Sequence, residues 1–162
     1  MFDNMFAFLD KDLTVLDFSP FKNVVSIEIG NKSFSYVATI CIAELPKLES
    51  VRIGFHSFFH ADEYNGTQTP SYRFYAYDCP KLKELKIGME SFINYSRFIV
   101  KNLPSLEEMV IGEGVDYSNC FTFSSLELKG EGMEHEVKNR LSKTENTQDW
   151  CWLFQEVRTS VD

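Results

Sequence analysis

Apolar residues recur along this chain in short, evenly spaced sets. One set reads apolar-x-x-apolar-x-apolar-Gly and occurs as Val24/Ile27/Ile29, Leu48/Val51/Ile53, Leu82/Leu85/Ile87 and Leu106/Met109/Ile111. A second set reads apolar-x-apolar-x-x-apolar and occurs as Leu16/Phe18/Phe21, Ile40/Ile42/Leu45, Phe74/Ala76/Cys79, Phe98/Val100/Leu103 and Phe121/Phe123/Leu126. Each set holds two apolar positions two residues apart. That is strand periodicity, in which alternate side chains share one face. Every unit therefore predicts two short strands, neither able to bury its apolar face alone.

The sets belong to one repeated unit. Its Ile-Gly pairs fall at Ile29-Gly30, Ile53-Gly54, Ile87-Gly88 and Ile111-Gly112, with glycines 24, 34 and 24 residues apart. The period is 24, and the second unit carries an insertion of ten residues that lies within about 60–71. Repetition at such a period marks a solenoid, where stacked coils align like residues and close a continuous core. The expected fold is mainly β, with two short parallel strands per coil. Five second-set rungs at ~4.8 Å spacing predict a stack about 19 Å tall.

The residues between strands fit this reading. Gly30, Gly54, Gly88 and Gly112 follow the first strand, where a sharp turn or positive φ is expected. Ser33-Phe34, Ser57-Phe58 and Ser91-Phe92 come next, and the phenylalanine is expected to plug the corner; the fourth unit reads Glu113-Gly114-Val115-Asp116 instead. Pro46, Pro80 and Pro104 stand just past the second strand, outside the ladder bonds that proline would break.

The L-x-x-L-x-I strand motif, carried by Leu48/Val51/Ile53 and its equivalents, resembles that of leucine-rich-repeat proteins. The 24-residue period, the Ser-Phe pair and the second strand are most similar to the surface-antigen (BspA-like) subclass, over residues 12–128. Glycine stands where many leucine-rich repeats place asparagine. The resemblance implies a leucine-rich-repeat-like solenoid over 12–129, with the remaining segments as caps.

Short terminal helical caps are expected. Phe2, Met5, Phe6 and Leu9 follow i, i+3, i+4, i+7, so residues 1–11 suit an amphipathic N-terminal cap. Residues 130–162 read as a partly helical cap or tail: Asn146-Thr147-Gln148-Asp149 is a helix start, and Trp150, Leu153, Phe154 and Val157 form one helical stripe. That stripe could close the last coil or dock into a partner's groove. The insertion, with Asn65-Gly66 and Pro70, is a surface loop that is either neutral or a binding element.

Composition narrows the function. Sixteen Lys+Arg against 24 Asp+Glu give a net charge of −8, which argues against a nucleic-acid backbone or an anionic membrane as partner. No run approaches the ~20 apolar residues of a membrane span. The start, MFDNMFAFLDKD, lacks the basic and apolar regions of a secretory signal. A cytoplasmic chain with reduced thiols is expected, and the sequons at Asn31, Asn65 and Asn94 would matter only on export. Of the fifteen phenylalanines, the corners account for part and the second ladder for more.

Chemistry is sparse. His56-x-x-x-His60-x-Asp62-Glu63 is the one cluster with metal-like spacing, but it straddles a turn and a loop and reads as solvated side chains. Cys79 takes the Leu45/Leu103 position and reads as a small core residue, whereas Cys41 and Cys120 alternate with core residues and should point outward. A nucleophile would need a histidine base beside it, and the three histidines fall elsewhere in the repeat frame. No catalytic residue, metal or cofactor is expected. A β-helix enzyme acting on polysaccharide would line a groove with stacked carboxylates or basic residues, whereas the outward columns here mix Glu, Arg, Lys, Ser and Val and no acid pair recurs in register.

Outward positions remain. On the first ladder Glu28, Arg52 and Lys86 fall in one column. On the second ladder the outward residues include Arg73, Tyr75, Tyr77, Arg97 and Ile99, and aromatic-plus-arginine composition marks interface hot spots. The expected function is a non-enzymatic protein-binding module that uses these eight residues. The alternative is a structural fragment of a longer repeat array.

Overall fold

A computed structural model describes residues 11–59, 72–113, 120, 124–129 and 156–160. The N-terminal cap segment, the insertion and most of the C-terminal segment lie outside the described residues. Ten strands follow in chain order: β1 (Val15–Asp17), β2 (Ser26–Ile29), β3 (Thr39–Ala43), β4 (Ser50–Ile53), β5 (Arg73–Tyr77), β6 (Glu84–Gly88), β7 (Arg97–Lys101), β8 (Glu108–Glu113), β9 (Ser125–Lys129) and β10 (Glu156–Ser160). Even-numbered strands up to β8 form one sheet, in the order β2-β4-β6-β8. The others form a six-stranded sheet, β1-β3-β5-β7-β9-β10. Every pairing between described strands is parallel. The chain thus alternates between two sheets, and about four turns of β-solenoid enclose one core.

The register follows the apolar sets. Ile27, Val51, Leu85 and Met109 align across the four-stranded sheet, and Leu16, Ile40, Phe74, Phe98 and Leu126 across the six-stranded one. From the second coil to the fourth these inward side chains are almost fully buried. The Leu-Pro-x-Leu segment is a tight turn: Leu48 N–H reaches Leu45 C=O at 3.3 Å, and Leu106 N–H reaches Leu103 C=O at 3.1 Å. Proline sits at the second turn position, where its fixed φ is already correct.

The Ser-Phe corner is built from two ladders. Phe34, Phe58 and Phe92 stack with ring centroids 5.6 and 4.6 Å apart and planes within 15°. Beside them, Ser57 Oγ accepts from Ser33 N–H and donates to Gly30 C=O at 2.9 Å. Ser91 Oγ repeats this one coil later, accepting from Ser57 N–H at 3.0 Å and donating to Gly54 C=O at 2.9 Å. Each serine therefore ties its coil to the one before.

The structure corrects four expectations. Gly54 and Gly88 do precede sharp turns, but what requires glycine there is the close approach of coils and not positive φ. A Cβ on Gly88 would lie 2.5 Å from Phe55 N and 2.6 Å from Gly54 C. Among the described glycines only Gly112 has positive φ, 82°, where a bulge sets Gly88 opposite Glu113. Left-handed backbone falls instead on non-glycine corner residues repeating from coil to coil: Lys32/His56/Glu90, Phe34/Phe58/Phe92 and Glu44/Asp78/Asn102.

Second, the fifth rung of the larger sheet is Leu126/Leu128, not Phe121/Phe123, because 28 residues rather than 24 separate Phe98 from its partner Leu126. Third, Cys120 points inward and is fully buried; its Sγ lies 3.1 Å from Gly88 C=O, so it continues the ladder begun by Ser57 and Ser91. Extra residues after Gly112 hid that equivalence. Fourth, Val157 is not on a helix. It lies in β10 and pairs with Leu126, extending the sheet past residue 129. The open edge of β9 offers unpaired backbone groups. The β-branched Val157 and Thr159 suit a strand. Trp150, Leu153 and Phe154 lie outside the described residues.

Candidate functional site: the outer faces of the two sheets

Strand alternation sends one residue in two outward, so the eight candidate residues divide between two faces. Glu28, Arg52 and Lys86 do form one column on the four-stranded sheet, in register across β2, β4 and β6. The neighbouring column is Ser26, Ser50, Glu84 and Glu108. Ion pairs run between columns: Arg52 Nη2 meets Glu84 Oε2 at 3.1 Å, and Lys86 Nζ meets Glu108 Oε2 at 2.9 Å and Glu84 Oε2 at 3.8 Å. The hydrogen bond to Glu108 raises the Lys86 ammonium above its ordinary range. This face neutralises its own cations.

Arg73, Tyr75, Tyr77, Arg97 and Ile99 gather on the six-stranded sheet. Arg73 is level with Arg97, Tyr75 with Ile99 and Tyr77 with Lys101. All five candidates are half-buried, held between neighbouring strands. One coil further, Glu127 stands level with Ile99 and Lys129 with Lys101. Arg97 Nε and Nη2 both donate to Glu127 Oε1, the former at 3.0 Å, and Lys129 Nζ lies 3.9 Å from Glu127 Oε2. Glu127 is only 9% exposed, so a desolvated carboxylate is held by two cations. Arg73 differs. Its Nη1 reaches Tyr75 Oη at 3.4 Å, and its Nε is buried without a hydrogen-bond partner among the described residues.

Sequence reasoning missed Glu127, Lys101 and Lys129 as members of this face. For Glu127 and Lys129 the cause is the extra length before β9, which put Cys120 and Thr122 in the outward positions of the fifth rung. The usable signal was the alternation Leu126-x-Leu128.

Two of the thiols, Cys41 and Cys79, are held in their protonated form. Cys41 does face outward, and burial with the Asp17 carboxylate raises its thiol. Burial likewise raises Cys79, which is fully enclosed as expected and donates to Tyr77 C=O at 3.3 Å. His56 Nδ1 lies 3.2 Å from Glu90 Oε2, while His60, Asp62 and Glu63 are outside the described residues. No group of three His, Cys, Asp or Glu residues able to hold a metal occurs among the described residues. Asn94 is 4% exposed, so its sequon cannot take a glycan in this fold, and Asn31 Oδ1 is engaged by Phe55 N–H at 3.0 Å. Among the described residues no helix is long and apolar enough to cross a membrane.

These features define a two-sheet parallel β-solenoid with a self-paired face and an arginine-tyrosine face. No family model, curated protein or solved structure matches the chain.

Proposed function

We propose that this chain is a non-enzymatic protein-binding module of leucine-rich-repeat type, akin to the surface-antigen subclass, working through the outer face of its six-stranded sheet. The observation that carries this reading is the composition of that face. Tyr75 and Ile99 lie side by side, Arg73 and Arg97 flank them, and all are half-buried on a regular sheet. Tyrosine and arginine dominate interface energetics, and a tyrosine ring loses little freedom on contact. The test compares proteins captured from native lysate by wild type and by the folded Tyr75→Ala/Tyr77→Ala/Ile99→Ser variant. Loss of a partner in the variant supports the reading, and identical capture by both moves the interface elsewhere.

A second reading, a member of a longer repeat array, is favoured by the first coil. Phe21 takes the position of Leu45, Cys79 and Leu103 yet is 60% exposed, and Val25 is 50% exposed where later coils place Glu49, Lys83 and Glu107. Exposed apolar side chains at a solenoid edge suit a further coil. Concentration-dependent sedimentation, abolished by Phe21→Ser/Val25→Glu, would support it.

A further inference from the structure

The net charge of −8 conceals a local reversal. Across β5, β7 and β9 the outward side chains include four cations, Arg73, Arg97, Lys101 and Lys129, against one carboxylate, Glu127. Glu127 satisfies Arg97 and Lys129. Arg73 and Lys101 have no ion pair among the described residues. The nearby acids past the strand ends are already engaged: Glu44 pairs with Lys22 at 3.3 Å, and Asp78 accepts from Asn102 Nδ2 at 2.8 Å.

Arg73 is the telling residue. Burial of Arg73 Nε without an acceptor leaves this guanidinium poorly compensated in the free protein, and a carboxylate meeting the outer end of the same group would compensate its charge. Tyr75 Oη holds one end of the same guanidinium, so the fork is partly oriented before anything binds. Tyr75 and Ile99 then supply an apolar centre between Arg73, level with the start of β7, and Lys101 at its end.

We infer that this face binds an extended acidic peptide segment, with one carboxylate on Arg73, an apolar side chain over Tyr75 and Ile99, and a second carboxylate at Lys101. The inference rests on the protein-binding reading above and specifies its partner. The spacing follows from strand geometry. Arg97, level with Arg73, and Lys101 are four residues apart, about 13 Å at a rise of ~3.3 Å per residue. A peptide laid along the strands has the same rise, so its acids stand at i and i+4 with the apolar residue at i+2. A polyuronate fits less well, since it carries no apolar side chain for Ile99.

The test is selection of short random peptides displayed on phage against the full chain, followed by titration of the synthetic consensus peptide. The expected result is enrichment of acid-x-apolar-x-acid. Affinity should fall about tenfold or more in Arg73→Gln and in Lys101→Gln, the scale of a charge-assisted hydrogen bond, and by less than about twofold in Arg52→Gln on the other sheet. If Arg73→Gln fails to fold, the consensus peptide with glutamine in place of each acid makes the same test on the wild-type protein and should lose as much. Enriched peptides without acids, or equal binding to Arg73→Gln, would overturn the acidic-peptide assignment while leaving a binding module standing. No enrichment over a blank surface would overturn both. Polygalacturonate binding more tightly than any peptide, with the same dependence on Arg73, would reassign the face to acidic saccharide.

Discussion

Ser91→Ala is a small change that strikes the joint between coils. The hydroxyl is fully buried, accepts from Ser57 N–H at 3.0 Å and donates to Gly54 C=O at 2.9 Å. Alanine leaves two backbone groups without these partners, in a corner too tight to admit a Cβ at Gly88. Each buried, unmet group costs about 1–3 kcal/mol, so the expected loss is about 3 kcal/mol. For a domain of this size that lowers the melting temperature by roughly 6–12 °C. Urea unfolding followed by far-ultraviolet circular dichroism measures the loss directly, and an unchanged m-value would show that the folded state keeps its compactness. Hydrogen exchange at the Ser57 amide should accelerate. Ser91→Cys should cost less, since Cys120 fills the equivalent place in the fourth coil with its thiol 3.1 Å from Gly88 C=O. A loss under about 0.5 kcal/mol for Ser91→Ala, the range of an ordinary surface change, would refute the claim that the hydroxyl ladder couples the coils.

Three further outcomes follow from the same packing. Phe92→Ala removes a buried ring that stacks on Phe58 at 4.6 Å and meets Tyr95 edge-on at 4.8 Å; calorimetry should show a loss of about 3–5 kcal/mol. Gly88→Ala drives a Cβ into backbone atoms of the preceding coil, and urea unfolding should show a loss of about 3 kcal/mol, at the upper end for overpacking. Tyr95 is completely buried, its hydroxyl donates to Val37 C=O, and desolvation holds its phenol well above the ordinary tyrosine range. Because the folded value exceeds the unfolded one, this contribution is complete below about pH 10 and is lost as pH rises above that, where the unfolded chain ionises first. Alkaline urea titrations should therefore show stability falling with pH, and Tyr95→Phe should flatten that slope while weakening the protein at neutral pH.

Much of the candidate face was legible in the chain itself. Tyr75, Ile99, Arg73 and Arg97 were placed together by alternation alone, because the register of parallel strands in a repeat equals the repeat frame. What alternation could not supply was the partner of each charge. Arg52 does stand in one column with Glu28 and Lys86, but its ion pair runs diagonally to Glu84, because a long side chain reaches the next column of the next strand.

A 24-residue period leaves one way for like apolar residues to stack, so the solenoid, the alternation between two sheets and the inward residues of β2 to β8 could be read from the chain alone. Tertiary structure alone decided three things. The four extra residues between Phe98 and Leu126 moved Glu127 beside Arg97, and a change in loop length carries no marker of where the frame resumes. Gly54 and Gly88 proved to be sites of contact between coils, a distance that no local dihedral preference encodes. Cys120 turned inward because the preceding coil offers the Gly88 carbonyl at the place where the next hydroxyl of the ladder would sit.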